Sequence, residues 1–390
     1  MNASKFVLIV LLFLFTAACG PADDQAITDQ PSVNTVLVTP ISTGTPISER
    51  PTISGSELNG EEPTDEASLH GCESNPHPVF TSPFTDLSMI RFISPLGVIS
   101  HSIIHHSYVW IGDDPSGDAY EVPIYAPVDS WLTRASYYSQ PMQGEDGGWQ
   151  DVAQYFVWFD VSCEVNYKFA HVDRLVDELA TVVPSDPTDT SRTVEVSPPV
   201  FVHAGDLIGY TRGTITANNW DFGVYNRSRT NQFASQARYQ ETWDLNILLY
   251  ADCPYDYFEG DLRRQMYSLL PKGECGSASG DVLGTIAGAW FESPEIDPMG
   301  HGSDLDVGQT LVPGGEFIVV RSSEMELRVC PKQVTYLPPA MVTTEHCYVD
   351  CWDPSRFVYL KLLSEMELAV AFGTGDCPSE IPADYKAYYR

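Results

Sequence analysis

The chain has 390 residues, with 53 acidic and 21 basic side chains and a formal net charge of −32. That charge excludes a nucleic-acid partner, because phosphate neutralisation dominates such affinity, and it excludes binding to an anionic membrane through a basic face. At 43% hydrophobic and 12% aromatic the chain can bury a core, and its 28 glycines and 29 prolines favour short strands and turns over long helices.

Lys5 precedes an unbroken apolar run from Phe6 to Phe15, followed by Thr16-Ala17-Ala18-Cys19. This is a signal-peptide pattern. Its ending resembles the lipobox of bacterial lipoproteins. The resemblance implies that Cys19 becomes the mature N-terminus, is lipidated on its thiol, and anchors the protein to a membrane. Residues 20–70 hold no aromatic residue and nine acidic side chains against one Arg. Such a segment buries too little surface to offset its ordering entropy, so a disordered, Pro/Ser/Thr-rich acidic tether is expected.

Ordered composition starts near Cys72. From 71 to 275 the pattern is mainly β. Tyr120–Pro127, Tyr155–Val161, Tyr167–His171 and Trp220–Tyr225 read as strands. Val172–Leu179 reads as a short helix, 182–198 as an exposed loop, and 258–270 as a modest helix stopped by Pro271. Asp113, Asp114 and Asp118 around Gly112 and Gly117 read as a solvated hairpin tip, since no closing Glu completes a calcium loop.

Residues 276–390 form a second, smaller antiparallel β-unit. Phe317–Val329 and Phe357–Val370 both contain Ser-Glu-Met-Glu-Leu-x-Val, which predicts two similar hairpins. Besides Cys19 there are eight cysteines: Cys72, Cys163, Cys253, Cys275, Cys330, Cys347, Cys351 and Cys377. An even number in an exported chain predicts four disulfides, with the pairing left open.

Three pieces of 97–225 fall in one order. A His-rich stretch leads to Val122-Pro-Ile-Tyr-Ala-Pro-Val128. Val157-Trp-Phe-Asp leads to Tyr167-Lys-Phe-Ala-His171. Val202-His-Ala-Gly-Asp-Leu-Ile-Gly209 leads to Asn219-Trp-Asp-Phe-Gly-Val224. The series resembles the lysostaphin/LytM-type zinc endopeptidases of the duplicated hybrid motif fold, which cut peptidoglycan peptides. The resemblance implies a two-sheet β-structure. In the "HAGDLIG" phrase, Gly205 and Gly209 permit backbone that other residues resist.

The family draws its zinc ligands from His-x-x-x-Asp and the second His of His-x-His, with a Tyr-x-His histidine assisting. Here His106 takes the first place, but Trp110 stands where the Asp belongs. His171 keeps the assisting position. Asn219 and Asp221 replace the His-x-His pair. The site is therefore degenerate, and the leading reading is a pseudoenzyme without cofactor: a cell-envelope lipoprotein that binds a peptidoglycan, glycan or peptide ligand or acts as scaffold. The alternative is a variant zinc site with His101, His106 and Asp221 as ligands and His171 as base, acting on peptidoglycan or extracellular peptides. A third reading, resting on the second unit, is a carbohydrate-binding surface protein.

Either way, the resemblance implies that His106, His171 and a half-exposed Asp221 face one groove, and strand alternation puts Asn219 on the same face as Asp221. Trp220 and Phe222 then lie opposite, and Phe169 shares His171's face.

If Cys19 carries the anchor, Cys19→Ser releases the protein to the medium or leaves it unprocessed. Each buried methylene contributes about 0.8 kcal/mol, so an acylated chain partitions firmly to membranes. Fractionation showing the variant still membrane-bound overturns this expectation.

Overall fold

Alternation of apolar and polar residues builds nearly everything described here. In the computed structural model the described residues are 72–97, 103–113, 119–143, 148–243, 245–300, 302–312, 315–323 and 325–390. The signal peptide with Cys19, the tether, His101, Asp114 and Asp118 lie outside them.

The first eleven strands are β1 (Ile90–Ser94), β2 (Ser107–Ile111), β3 (Val122–Tyr125), β4 (Ser130–Gln143), β5 (Trp149–Asp160), β6 (Val165–Val172), β7 (Arg174–Leu175), β8 (Val194–Val202), β9 (Leu207–Thr211), β10 (Asn219–Asn226) and β11 (Ala251–Asp252). Eight of them form one antiparallel sheet in the order β1-β2-β10-β6-β5-β4-β8, with β11 on β10. The other three form a small sheet, β3-β9-β7. Val122, Ile124 and Ile208 of the small sheet join Phe169, Trp220 and Phe222 of the large one in a single buried cluster. The expected two-sheet β-structure is thus present. Gly205 lies in the left-handed region at φ +89°. Gly209 is needed for a different reason: a Cβ there would sit 2.2 Å from the Arg174 carbonyl of neighbouring β7.

Two expectations for this part need correction. Val172 ends β6 and is not helical; the helix is the single turn α1 (Asp177–Ala180). Residues 194–198 belong to strand β8, not to a loop. Pro198 and Pro199 disguise it, and they are tolerated because β8 is an edge strand with no neighbour on its outer side. Two further helices follow, α2 (Gln236–Glu241) and α3 (Gly260–Leu269), the latter stopping at Leu270 and Pro271 as expected. No helix among the described residues is long and apolar enough to cross a membrane.

The remaining strands are β12 (Gly288–Trp290), β13 (Leu305–Val312), β14 (Gly315–Ser322), β15 (Glu326–Val329), β16 (Glu345–Val349), β17 (Arg356–Ser364), β18 (Glu367–Thr374) and β19 (Lys386–Tyr389). They form two four-stranded antiparallel sheets, β12-β13-β14-β15 and β16-β17-β18-β19. The repeated phrase falls on hairpins β14–β15 and β17–β18. Leu327 and Val329, like Leu368 and Val370, point into a second buried cluster around Trp290 and Tyr348. Charged side chains tie the two cores together. The half-buried Asp281 carboxylate accepts from the amides of Ala234 and Ala289, and Arg238 donates to the carbonyls of Ser293, Pro294 and Glu295.

All eight cysteines pair: Cys72–Cys163, Cys253–Cys275, Cys330–Cys351 and Cys347–Cys377. Apart from Cys19, thiol titration of denatured, unreduced protein should find no free cysteine. Cys72–Cys163 spans 91 residues. Replacing both by Ser should lower stability by about 2–4 kcal/mol, read as a shift of the denaturation midpoint, because the unfolded chain regains loop entropy.

Candidate functional site

Strand β10 lies between β2 and β6, and all eight of its residues are buried. Its even-numbered positions Trp220, Phe222 and Val224 enter the aromatic core with Phe84 and Phe169. Asn219, Asp221, Gly223 and Tyr225 therefore occupy the opposite face. Register sets their neighbours: Trp110 lies across from Asn219, Tyr108 from Asp221, and Lys168 from Gly223. Lys168 in turn lies across from Trp158 of β5.

Asp221 is the centre of this face. Its Oδ2 lies 3.2 Å from His106 Nε2 and 3.9 Å from His171 Nε2. The predicted trio therefore converges. Asp221 is not half-exposed as expected; it is 5% exposed. The His106 contact is close but not aligned as a hydrogen bond. Both His106 ring nitrogens and Asp221 Oδ1 are buried without a hydrogen-bond partner.

His171 reaches the site by an irregularity. Phe169 faces the core, so simple alternation would leave His171 on the core side as well. Instead His171 adopts φ +62°, and the β5–β6 register shifts between Tyr155 and Val157. The left-handed residue turns the imidazole onto the Asp221 face, which corrects the expectation that Phe169 and His171 share a face. Gln154 orients the ring: its side-chain amide nitrogen lies toward Asp173 and the Gly213 carbonyl, leaving Oε1 to accept from His171 Nδ1 at 2.8 Å. Nδ1 thus carries a proton, and Nε2 faces Asp221.

Of the residues around the trio, His105 belongs to the His-rich stretch read from the sequence, whereas Tyr225, Gln154 and Lys168 were not picked out as site residues. His105 Nδ1 contacts the Tyr225 hydroxyl at 2.7 Å. Gly223 makes room for that pair, since a Cβ there would lie 2.7 Å from the Tyr225 hydroxyl. Lys168 is 4% exposed, and its ammonium stands 4.9 Å from the Phe156 ring. The detectable signal was a lysine set between Tyr167 and Phe169 in an apolar strand.

Burial governs the protonation states. It pushes the imidazoles of His105 and His106 below their usual value, with Lys168 adding to the effect and Asp221 opposing it. Burial alone would raise the Asp221 carboxyl. The two imidazoles and Lys168 more than offset it and hold that group below the usual carboxylate range. Burial lowers Lys168 to about 8, against the pull of Asp221. Near neutral pH the site therefore contains an ionised Asp221 and a largely protonated Lys168.

Zinc fits this arrangement poorly. Trp110 stands where the resemblance would place a ligand, but its indole donates to Ser94 Oγ at 2.9 Å and has no lone pair for a metal. Asn219 is engaged by the Thr214 hydroxyl at 3.1 Å. Lys168 opposes a second cation beside Asp221. Among the described residues no group of three or more His, Cys, Asp and Glu side chains is arranged to hold a metal ion. Comparison with family models, with curated proteins and with solved structures finds no match for the chain.

Lys168→Met should stabilise the protein at pH 7 by about 1–3 kcal/mol, because a buried charge without an ion-pair contact is removed. The sign follows from linkage. The unfolded lysine keeps its proton to roughly 10.4, whereas the folded one loses it near 8. Wild-type stability therefore gains on the variant as pH rises through that window. Thermal midpoints at pH 7 and pH 10 check both statements; a destabilised variant at pH 7 overturns them.

Proposed function

We propose that the chain is an exported lipoprotein, anchored to the cell envelope through Cys19 and facing outward, whose peptidase-like β-domain binds a ligand rather than cleaving one. The observation that carries this reading is Lys168. Its ammonium lies close enough to Asp221 to influence the carboxylate electrostatically, so the chain itself supplies the positive charge that a metal would otherwise bring. Catalytic zinc needs three protein ligands and an open position for water. An indole at position 110 and a resident ammonium at 168 leave that requirement unmet. Four disulfides suit an oxidising compartment outside the cytoplasm. The ligand on this reading is a component of the envelope, peptidoglycan or its peptide or glycan parts.

One observation favours a second reading, a zinc endopeptidase with a variant site. Two imidazole nitrogens converge on one Asp221 oxygen, and His106 keeps both nitrogens free of hydrogen bonds. His106, Asp221 and His171 would then hold the ion, and zinc would supply a Lewis acid and an activated water.

Elemental analysis of the purified protein separates the two. The binding reading expects far less than one zinc per chain, unchanged by Asp221→Ala, together with co-sedimentation on intact peptidoglycan without release of peptides. About one zinc per chain that is lost in Asp221→Ala, with cleavage of peptidoglycan peptides, would overturn it in favour of the peptidase.

A further inference from the structure

Lys168 is the most unusual charged group in the described structure. The chain has only 21 basic residues, yet one of them is placed on the inner strand β6 at 4% exposure. Aromatic rings surround it: Phe156 lies under the ammonium, and Trp158 stands opposite on β5. Other buried cations here are neutralised or hydrogen-bonded. Arg238 donates to three carbonyls, and Arg390 donates to the Ala287 carbonyl and stacks on Trp290. Lys168 makes no hydrogen bond and no ion pair within 4.0 Å to any described residue, Asp221 included. An ammonium has three donors. The side chain is buried, but Nζ is not among the sealed-off unpartnered atoms, so a partner that arrives from outside can reach it.

We propose that Lys168 is the anchoring residue of a ligand site on this face, and that it takes the carboxylate of a small organic acid or of a peptide. This rests on the metal-free reading above. The chemistry selects a carboxylate for three reasons. Lysine acts as a point charge and needs no bidentate partner, unlike arginine. A single negative charge neutralises Lys168, whereas a doubly charged phosphate would add net negative charge beside Asp221. A carboxylate in contact with Nζ gains more from Lys168 than it loses to Asp221, whose oxygens lie beyond 4.0 Å from the ammonium, because Coulomb energy falls with distance. Phe156, Trp158, Tyr108 and Trp110, all half-buried or buried, supply apolar surface for the body of the ligand. The Arg134 guanidinium lies 4.7 Å over the Trp158 ring, so it adds positive charge to the same face and further favours an anionic ligand.

Benzoate, benzamide and inorganic phosphate test the assignment by titration of tryptophan fluorescence, since Trp158 and Trp110 report from this face. Benzoate should bind the wild-type protein at least about tenfold more tightly than its neutral isostere benzamide, in line with a charge-assisted hydrogen bond. In Lys168→Met that preference should vanish, with the fold confirmed by an unchanged or raised melting temperature. Equal binding of benzoate and benzamide to the wild type, or an undiminished preference in Lys168→Met, overturns the proposal. Tighter binding of phosphate than of benzoate overturns the carboxylate assignment. Zinc is titrated separately. Stoichiometric zinc uptake by the wild type would overturn the metal-free reading itself, whereas absent benzoate selectivity without zinc uptake overturns this inference alone.

Discussion

Strand β10 is the constraint on which the rest depends. It has buried surface on both faces and uses them differently. One face gives Trp220, Phe222 and Val224 to the aromatic core. The other gives Asn219, Asp221, Gly223 and Tyr225 to a polar array. Because strand periodicity is two, no side chain on one face can shift without moving those on the other. The core therefore holds the register that sets Asp221 between His106 and His171. A one-residue slip would put a tryptophan or a phenylalanine beside the imidazoles and a carboxylate in the apolar cluster. Such a slip is strongly opposed, since burying an unpaired charge costs far more than any local gain.

Asp221 then organises the electrostatics of the face. It is the charge to which His105, His106, Lys168, Tyr138 and Tyr225 all respond. A carboxylate that deep in the protein requires compensation, and two different means are present. The imidazoles approach one oxygen closely, whereas the ammonium acts from farther away. The division matters for function. Lys168 lies beyond ion-pair distance of Asp221, so its donors are not consumed by that carboxylate and remain available for an outside partner.

Much of this was legible in the residues, and the limits are physical. Strands within 120–127, 155–161, 167–171 and 220–225 were readable because each gives one face to the core. The hairpin repeat was readable for the same reason, as Leu327 and Val329 match Leu368 and Val370 in place as well as in type. His106, His171 and Asp221 could be grouped because their spacing follows a known order. What alternation could not give was the side of β6 on which His171 falls. That depends on one left-handed residue and a register shift in the next strand, and neither has a signature as plain as glycine. Strand β8 was hidden because its prolines are permitted only by its edge position, which is a property of the sheet and not of the segment. The roles of Gln154 and His105 depend on partners 17 and 120 residues away. Pairings at such separation have no local pattern.

Two positions at which the sequence differs from the peptidases it resembles are also neighbours in space. Trp110 and Asn219 face each other across β2 and β10. An indole therefore stands beside an amide. Each has a partner: Trp110 donates to Ser94, and Ser94 donates to the Leu311 carbonyl of β13. Asn219 is fixed by Thr214. These contacts route position 110 into the attachment of the C-terminal β-unit. An aspartate at 110 would leave the Ser94 hydroxyl without its indole donor and would put a second carboxylate near Asp221. Trp110→Asp is thus opposed by both packing and charge, so the indole at this place in the sheet has a structural role.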